Sequence, residues 1–360
     1  MRLGTFVDYA ADFATASAEV VEFERLGTDL VAVAETYSFD AVSRLGYLAA
    51  ITERVTLMSA ILPLYSRTPS VLAMTAAGLD SLSGGRFELG IGASGPQVIE
   101  GFHGVPYAAP LGRVRETIEI CRQVWKREPL VHQGPNYRIP LPADEGTGLS
   151  KPLKLINRPV RERIPIVAAA IAPKGVALAA ELADGWFPAF YYPEGAADAW
   201  GASLATGLVS RDPSLGALDV IVGMPLYVGD DVEHALAAHR HHLALYIGGM
   251  GAKGANFYND LATLYGFGDV AAEVQDRYLA GDKLGAAALV PDELLHGTAL
   301  IGSESHVASR LEALTAAGVT TLLASPVGAT PVERLASVEA ARALIPGHKG
   351  LSSPAASPSR

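Results

Sequence analysis

The sequence predicts an α/β fold, a (β/α)8 TIM barrel, on three observations. Short apolar runs alternate with helical stretches through the first third of the chain, at roughly 30 residues per unit, which is the signature of βαβ connections. Those runs are continuously apolar rather than alternating, as expected of parallel strands buried on both faces. Eight such runs can be placed along the 360 residues, the strand number of this barrel.

The first four strands are expected at Leu3–Phe6, Leu30–Val33, Val55–Leu62 and Phe87–Ile91. A helix over Ala14–Leu26 ends at Gly27, a residue suited to the left-handed position after a helix. Asp40 is placed to cap a helix over Ala41–Ile51, and Pro69 precedes one over Ser70–Leu82 that stops before Gly84. The later strands are expected at Ile164–Ala169, Gly185–Phe187, Val220–Val228 and Thr320–Ala324. Two segments break the rhythm. Residues 129–160 are rich in proline and glycine and read as a long loop, whereas residues 230–297 are mostly helical and too long for one barrel helix. Long connections in compact domains are usually lids or binding loops. One domain is expected over residues 1–348, followed by a disordered small-residue tail over 349–360.

With 49% hydrophobic residues the chain can bury one large core. A net charge of -10 argues against a general nucleic-acid or anionic-membrane binder. Cys121 is the only cysteine, which excludes an intrachain disulfide or a thiolate metal cluster. The opening residues lack the basic and apolar regions of a signal peptide, and no apolar run reaches membrane-spanning length, so a cytoplasmic protein is expected. His239, His241 and His242 have no neighbouring acid to complete a ligand set; they read as a solvated helix face, and no metal is expected.

The stretch GRFELGIGASGPQ contains Gly90, Gly92 and Gly95 in the G-x-G-x-x-G spacing of a dinucleotide site. That fingerprint belongs on a first βα turn, with an acid about 20 residues later on the next strand. Here three βα units come first, the next clear helix begins near Pro110, and Glu116 lies inside it. The glycines therefore read as a loop at the C-terminal end of a fourth barrel strand, the face that carries catalytic loops.

Several longer runs, SAILPLYSRTPSVLAMTAAGLDSLSGGRFELGIGASGPQVIEGFHG, IPIVAAAIAPKGVALAAELADGW, LALYIGGMGAKGANFYNDLATLYGFGD and VPDELLHGTALIG, resemble the bacterial luciferase-like superfamily. Within it they look most like the coenzyme F420-dependent oxidoreductases of actinobacteria. The resemblance implies a barrel with a helical insertion and a deazaflavin across the C-terminal mouth, its phosphate and acidic tail along the rim. It implies a non-proline cis peptide in a bulge of the third strand, which maps to Ala60–Ile61 with Ser59 adjacent. Cofactor contacts would then come from Glu35, Thr36, Ser59, Ala60, Ile61 and Arg67. The glycine loop would add Gly92, Ala93, Ser94, Gly95, Pro96, Gln97 and Val98. A strand-to-helix turn would add Ala170, Ile171, Ala172, Pro173, Lys174, Gly175 and Val176, whose free amides suit a phosphate.

The chemistry implied is hydride exchange with a small organic substrate, in the direction of reducing an activated C=C or C=N bond. Such a reduction needs a proton donor. Glu35, His103 and Tyr65 are the candidates; some family members carry a histidine after the acid, where this chain has Thr36. Phe6 is expected to wall the substrate pocket, with Lys253, Asn256 and Phe257 in a covering segment. A homodimer is the expected assembly. Two other readings stand beside this one: an FMN-dependent monooxygenase on the same barrel, and a non-catalytic ligand-binding barrel.

Overall fold

The computed structural model describes residues 1–8 and 12–345. The tail expected at 349–360 lies outside the described residues. Eight parallel strands close a barrel: β1 Arg2–Phe6, β2 Leu30–Val33, β3 Thr56–Ser59, β4 Phe87–Gly92, β5 Ile166–Ala169, β6 Gly185–Phe187, β7 Asp219–Val228 and β8 Thr321–Pro326. Each pairs with the next, and β8 returns to β1 in the register Arg2↔Thr321 to Thr5↔Ala324. The eight predicted strands are all present.

Alternation along the strands sorts side chains into a lumen and a helix-facing surface. The lumen has layers, as in other barrels of this type. Its lower end holds an ionic set: Arg2 donates to Glu88 (2.9 Å), Asp219 (2.5 Å) and the Thr321 hydroxyl (3.0 Å). Above it pack Leu30, Ala32, Met58, Val167, Ile221 and Leu323, with Phe6 and Phe187 partly exposed at the top. Charge and apolar packing thus fill the barrel below, which leaves the C-terminal mouth as the place for a ligand.

Caps follow the sequence closely. Asp40 accepts from the Ser43 amide at 2.7 Å at the start of the helix Ala41–Ile51. The next helix begins one residue earlier than expected, at Pro69, because Thr68 supplies the cap and proline tolerates the first helical position.

Three features differ from the sequence reading. The segment 129–160 is not all loop: His132–Gln133 and Arg138–Ile139 form a small antiparallel hairpin. The buried Glu116 carboxylate pins it, accepting from His132 Nε2 (3.0 Å), Asn136 Nδ2 (2.5 Å) and the Tyr137 amide (2.9 Å). Leu300–Gly302 adds a ninth parallel strand beside the end of β7. A short helix, Pro96–Gly101, follows the glycine stretch at once, with Pro96 in its first position. Residues 230–297 fold as successive helices from Glu233–Ala244 to Asp292–Gly297, interrupted by two π-helical turns.

Candidate functional site

The mouth is shaped first by a break in the third strand. Pairing stops at Ser59, the peptide between Ala60 and Ile61 is cis as the resemblance implies, and Leu62–Pro63 resumes pairing against Ile91 and Gly92. Ser59, fully buried, stitches the bulge to β4: its hydroxyl accepts from the Gly90 amide and donates to the Gly90 carbonyl, both at 2.9 Å. The strands approach so closely that a β-carbon on Gly90 would lie 1.8 Å from the Ser59 carbonyl oxygen. One on Gly92 would lie 3.1 Å from the Ile61 side chain, while Gly95 faces only the Gln97 amide at 3.4 Å. Two glycines of the dinucleotide-like pattern are therefore set by the neighbouring bulge, with no phosphate required.

The loop Gly92–Val98 is fixed from above. Ser94 takes a left-handed φ of 59°, and its carbonyl accepts from the Tyr107 hydroxyl at 3.1 Å. On the neighbouring strand of the barrel, two buried tryptophans hold the turn after β5. Trp186 Nε1 donates to Ala170 (2.9 Å) and Trp200 Nε1 to Ile171 (2.8 Å), the indoles lying edge-on 5.1 Å apart. The helix Pro173–Leu182 then starts at Ala172, which has no side chain to cap it. Pro173 lacks an N–H, and the Gly175 and Val176 amides both return to the Ala172 carbonyl. The Lys174 amide is left without a backbone acceptor, beside its own exposed ammonium.

The three proton-donor candidates fare differently. Both oxygens of Glu35 bind Arg67, at 2.5 and 3.0 Å, and one also accepts from the Ala41 amide at 2.9 Å. Arg67 reaches on to Asp40 at 2.8 Å, so Glu35 and Arg67 form a shared anchor for the β2 and β3 rims. The Tyr65 hydroxyl donates its proton to the Ala108 carbonyl at 2.8 Å, and burial pushes the phenol up to about 12. His103 alone presents a buried nitrogen, Nε2, with no hydrogen-bond partner among the described residues. Thr36 stands exposed beside Glu35.

In the insertion the structure corrects two readings. Asn256, expected to face a substrate, is 2% exposed and points inward. Its Nδ2 donates to Tyr246 (3.0 Å) and Ile247 (2.9 Å), and its oxygen caps the helix Phe257–Ala262. The π-helical turn Leu245–Gly249 breaks the ordinary helical ladder, and this amide takes up carbonyls there. Lys253 is exposed and paired with Asp276 at 2.5 Å, while Phe257 is half exposed. The histidines are not a uniform solvated face. His239 is buried against Thr298 at 2.9 Å, while His241 and His242 are exposed. Among the described residues no group of three His, Cys, Asp or Glu side chains is placed to hold a metal ion, and no helix is long and apolar enough to cross a membrane.

Burial of His239 carries a pH prediction. Desolvation, aided by His242 and His296, pushes its pKa down to about 3. The unfolded chain, with an ordinary histidine near 6.5, takes up the proton first as pH falls. Stability from this residue is complete above about pH 6.5 and declines by up to about 1.4 kcal/mol per pH unit towards pH 3. In urea unfolding between pH 7 and 4, His239→Gln should show a shallower acid decline than the parent protein. Equal slopes would show that His239 does not set it.

The chain is similar in sequence and in fold to known proteins. The luciferase-like monooxygenase family model matches residues 1–321. A Mycobacterium tuberculosis protein, provisionally named a coenzyme F420-dependent oxidoreductase, is 41% identical over 325 residues, covering 89% of this chain and 92% of that one. The 5,10-methylenetetrahydromethanopterin reductase of Archaeoglobus fulgidus is 29% identical over 315 residues, covering 85% and 87%. In fold, the coenzyme F420-dependent tetrahydromethanopterin reductase of Methanopyrus kandleri superposes with a TM-score of 0.77 at 19% identity, over 94% of this chain and 96% of that one. The chain belongs to the luciferase-like monooxygenase family.

Proposed function

We propose that the protein is a coenzyme F420-dependent oxidoreductase that exchanges a hydride between the deazaflavin and a small organic substrate, reducing an activated C=C or C=N bond. The observation that carries this is the cradle formed by the Ala60–Ile61 bulge, the Gly92–Val98 loop and the uncapped turn Ala170–Val176, in a chain 41% identical to a relative named for F420. The residues present fit such a group. A β-carbon on Gly95 would meet only the Gln97 side chain at 3.4 Å, the Lys174 amide lacks a backbone acceptor, and the buried His103 Nε2 has no hydrogen-bond partner among the described residues.

When bound, the deazaflavin supplies two-electron hydride chemistry without oxygen activation. The protein's own share is to hold its planes and to manage water and protons. Ser59 and Gly90 fix the bulge, Trp186 and Trp200 fix the adjacent turn after β5, and Phe6 and Phe187 form the apolar floor. Of the three acids weighed, His103 is the one whose nitrogen is uncommitted, and it is assigned proton delivery to the substrate. Glu35 and Tyr65 serve by position. The exposed Tyr47, Val71, Met74 and Leu82, on the helices after β2 and β3, support a homodimer.

Titration of the purified protein with F420 and, separately, with FMN tests this directly. F420 should bind in the micromolar range or tighter, about 8 kcal/mol at 1 μM, with FMN binding weakly. Tight FMN binding without F420 binding would transfer the site to flavin monooxygenase chemistry.

A further inference from the structure

We propose that Arg113 is the receptor for an anionic group, phosphate or carboxylate, of the ligand seated on the Gly92–Val98 loop. The inference deepens the proposed function and rests on it. Arg113 lies in the first turn of the helix Pro110–Trp125, which follows β4. Its guanidinium carbon lies over two phenol rings, 5.4 Å from the centre of Tyr65 and 5.0 Å from that of Tyr137. Its Nε donates to the Ala108 carbonyl at 3.0 Å, the same oxygen that takes the Tyr65 hydroxyl. The two terminal nitrogens find no acceptor and no carboxylate among the described residues.

This sets Arg113 apart from its neighbours. Arg67 is spent on Glu35 and Asp40, and Arg115 on Glu181. A guanidinium held at Nε and lying over aromatic rings while its fork stays open is preorganised for a two-point contact with an oxyanion. Stacking on aromatic rings holds the charge without neutralising it.

The position also fits. Tyr65 lies 5.2 Å, ring to ring, from Tyr107, whose hydroxyl binds the Ser94 carbonyl in the glycine loop. Leu111 meets Gly175, so the helix bearing Arg113 starts against the one bearing Lys174. Neither helix start has a side-chain cap. Glu116, the nearest acid on the helix, is already surrounded by His132, Asn136 and the Tyr137 amide. In a chain of net charge -10, an anionic ligand needs such a local cation.

Tyr137 belongs to the hairpin in the segment 129–160. That segment thus contributes to the site by placing a phenol ring beside Arg113. This gives that segment a function the barrel alone does not require.

The test compares F420 with its uncharged chromophore fragment, the deazaflavin riboside lacking phosphate and tail, by fluorescence titration of the full chain. The parent protein should prefer F420, and Arg113→Gln should weaken F420 binding about tenfold or more, with the riboside unchanged. Retained riboside binding also shows that the variant folds. Tyr137→Leu should weaken F420 binding in the same direction and by less. Unchanged F420 affinity in Arg113→Gln overturns the proposal, as does equal weakening of both ligands, which would make Arg113 a structural residue. If the parent binds the riboside and F420 alike, the anion receptor fails while the deazaflavin site survives. If it binds neither, the proposed function fails as well.

Discussion

Gly90→Ala is expected to disrupt the proposed deazaflavin site and to destabilise the barrel by more than any other single methyl addition around the mouth. The added carbon would sit 1.8 Å from the Ser59 carbonyl oxygen, far inside contact distance, and 3.5 Å from Ile61. The clash is with backbone, so a rotamer change in a side chain cannot relieve it. Either β3 moves away from β4, or the Ser59 hydroxyl gives up its two bonds to Gly90. Overpacking of this kind costs typically about 1–3 kcal/mol, and an unpaired buried polar group adds about 1–3 kcal/mol. Gly92→Ala is the control. Its carbon meets flexible Ile61 atoms at 3.1 Å, so a smaller loss is expected. Urea midpoints and F420 titrations on both variants check the ranking. Similar stability of Gly90→Ala and the parent protein would mean that the bulge is not as rigid as the geometry requires.

The same glycines show what the sequence made legible. Their spacing matched a dinucleotide fingerprint, but their place after a fourth apolar strand pointed to a barrel rim, and β4 ends there. The strands were readable because continuous apolar runs such as LVAV and IVAA leave little choice of partner surface. Helix ends were readable where a local side chain makes the bond, as Asp40 does with Ser43. What depended on distant contacts was not. Glu116 looked like an unremarkable helix acid, yet its carboxylate organises a hairpin 20 residues away. Asn256 looked like a contact offered to a ligand, because nothing in GGMGAKGANFYND announces the π-helical turn whose carbonyls it serves. His239 shared a run with exposed histidines, and only the packing of Thr298 against it reveals burial.

Glu35 illustrates the same limit at the centre of the site. An acid just past β2 is in the right place for chemistry, but Arg67 lies 32 residues on and claims both oxygens. The pair is shielded, with side-chain exposures of 9% and 16%. With both Glu35 oxygens on Arg67 and Thr36 in place of a histidine, the remaining candidate donor is His103, in the connection after β4, two strands along the rim.

His103→Ala is therefore expected to lower turnover by about 10²–10⁴-fold, the usual range for losing a positioned general acid, while leaving F420 affinity nearly unchanged. The separation follows from the geometry. His103 is held by its backbone, its amide donating to the Val98 carbonyl at 3.1 Å, so removing the imidazole leaves the Gly92–Val98 loop tethered. The ring's buried Nε2 has no hydrogen-bond partner among the described residues, and a buried nitrogen of that kind calls for a partner such as ligand or solvent. If that partner is the substrate atom that receives the proton, the loss should fall on kcat and not on cofactor binding. Added imidazole should restore part of the rate in His103→Ala, and the proton-dependent step should show a larger solvent isotope effect there than in the parent protein. Glu35→Gln should behave differently, weakening the rim through Arg67 and reducing stability together with cofactor affinity. Should His103→Ala retain turnover within about threefold of the parent, proton delivery would have to come from solvent, and the orphaned nitrogen would be a cofactor contact instead.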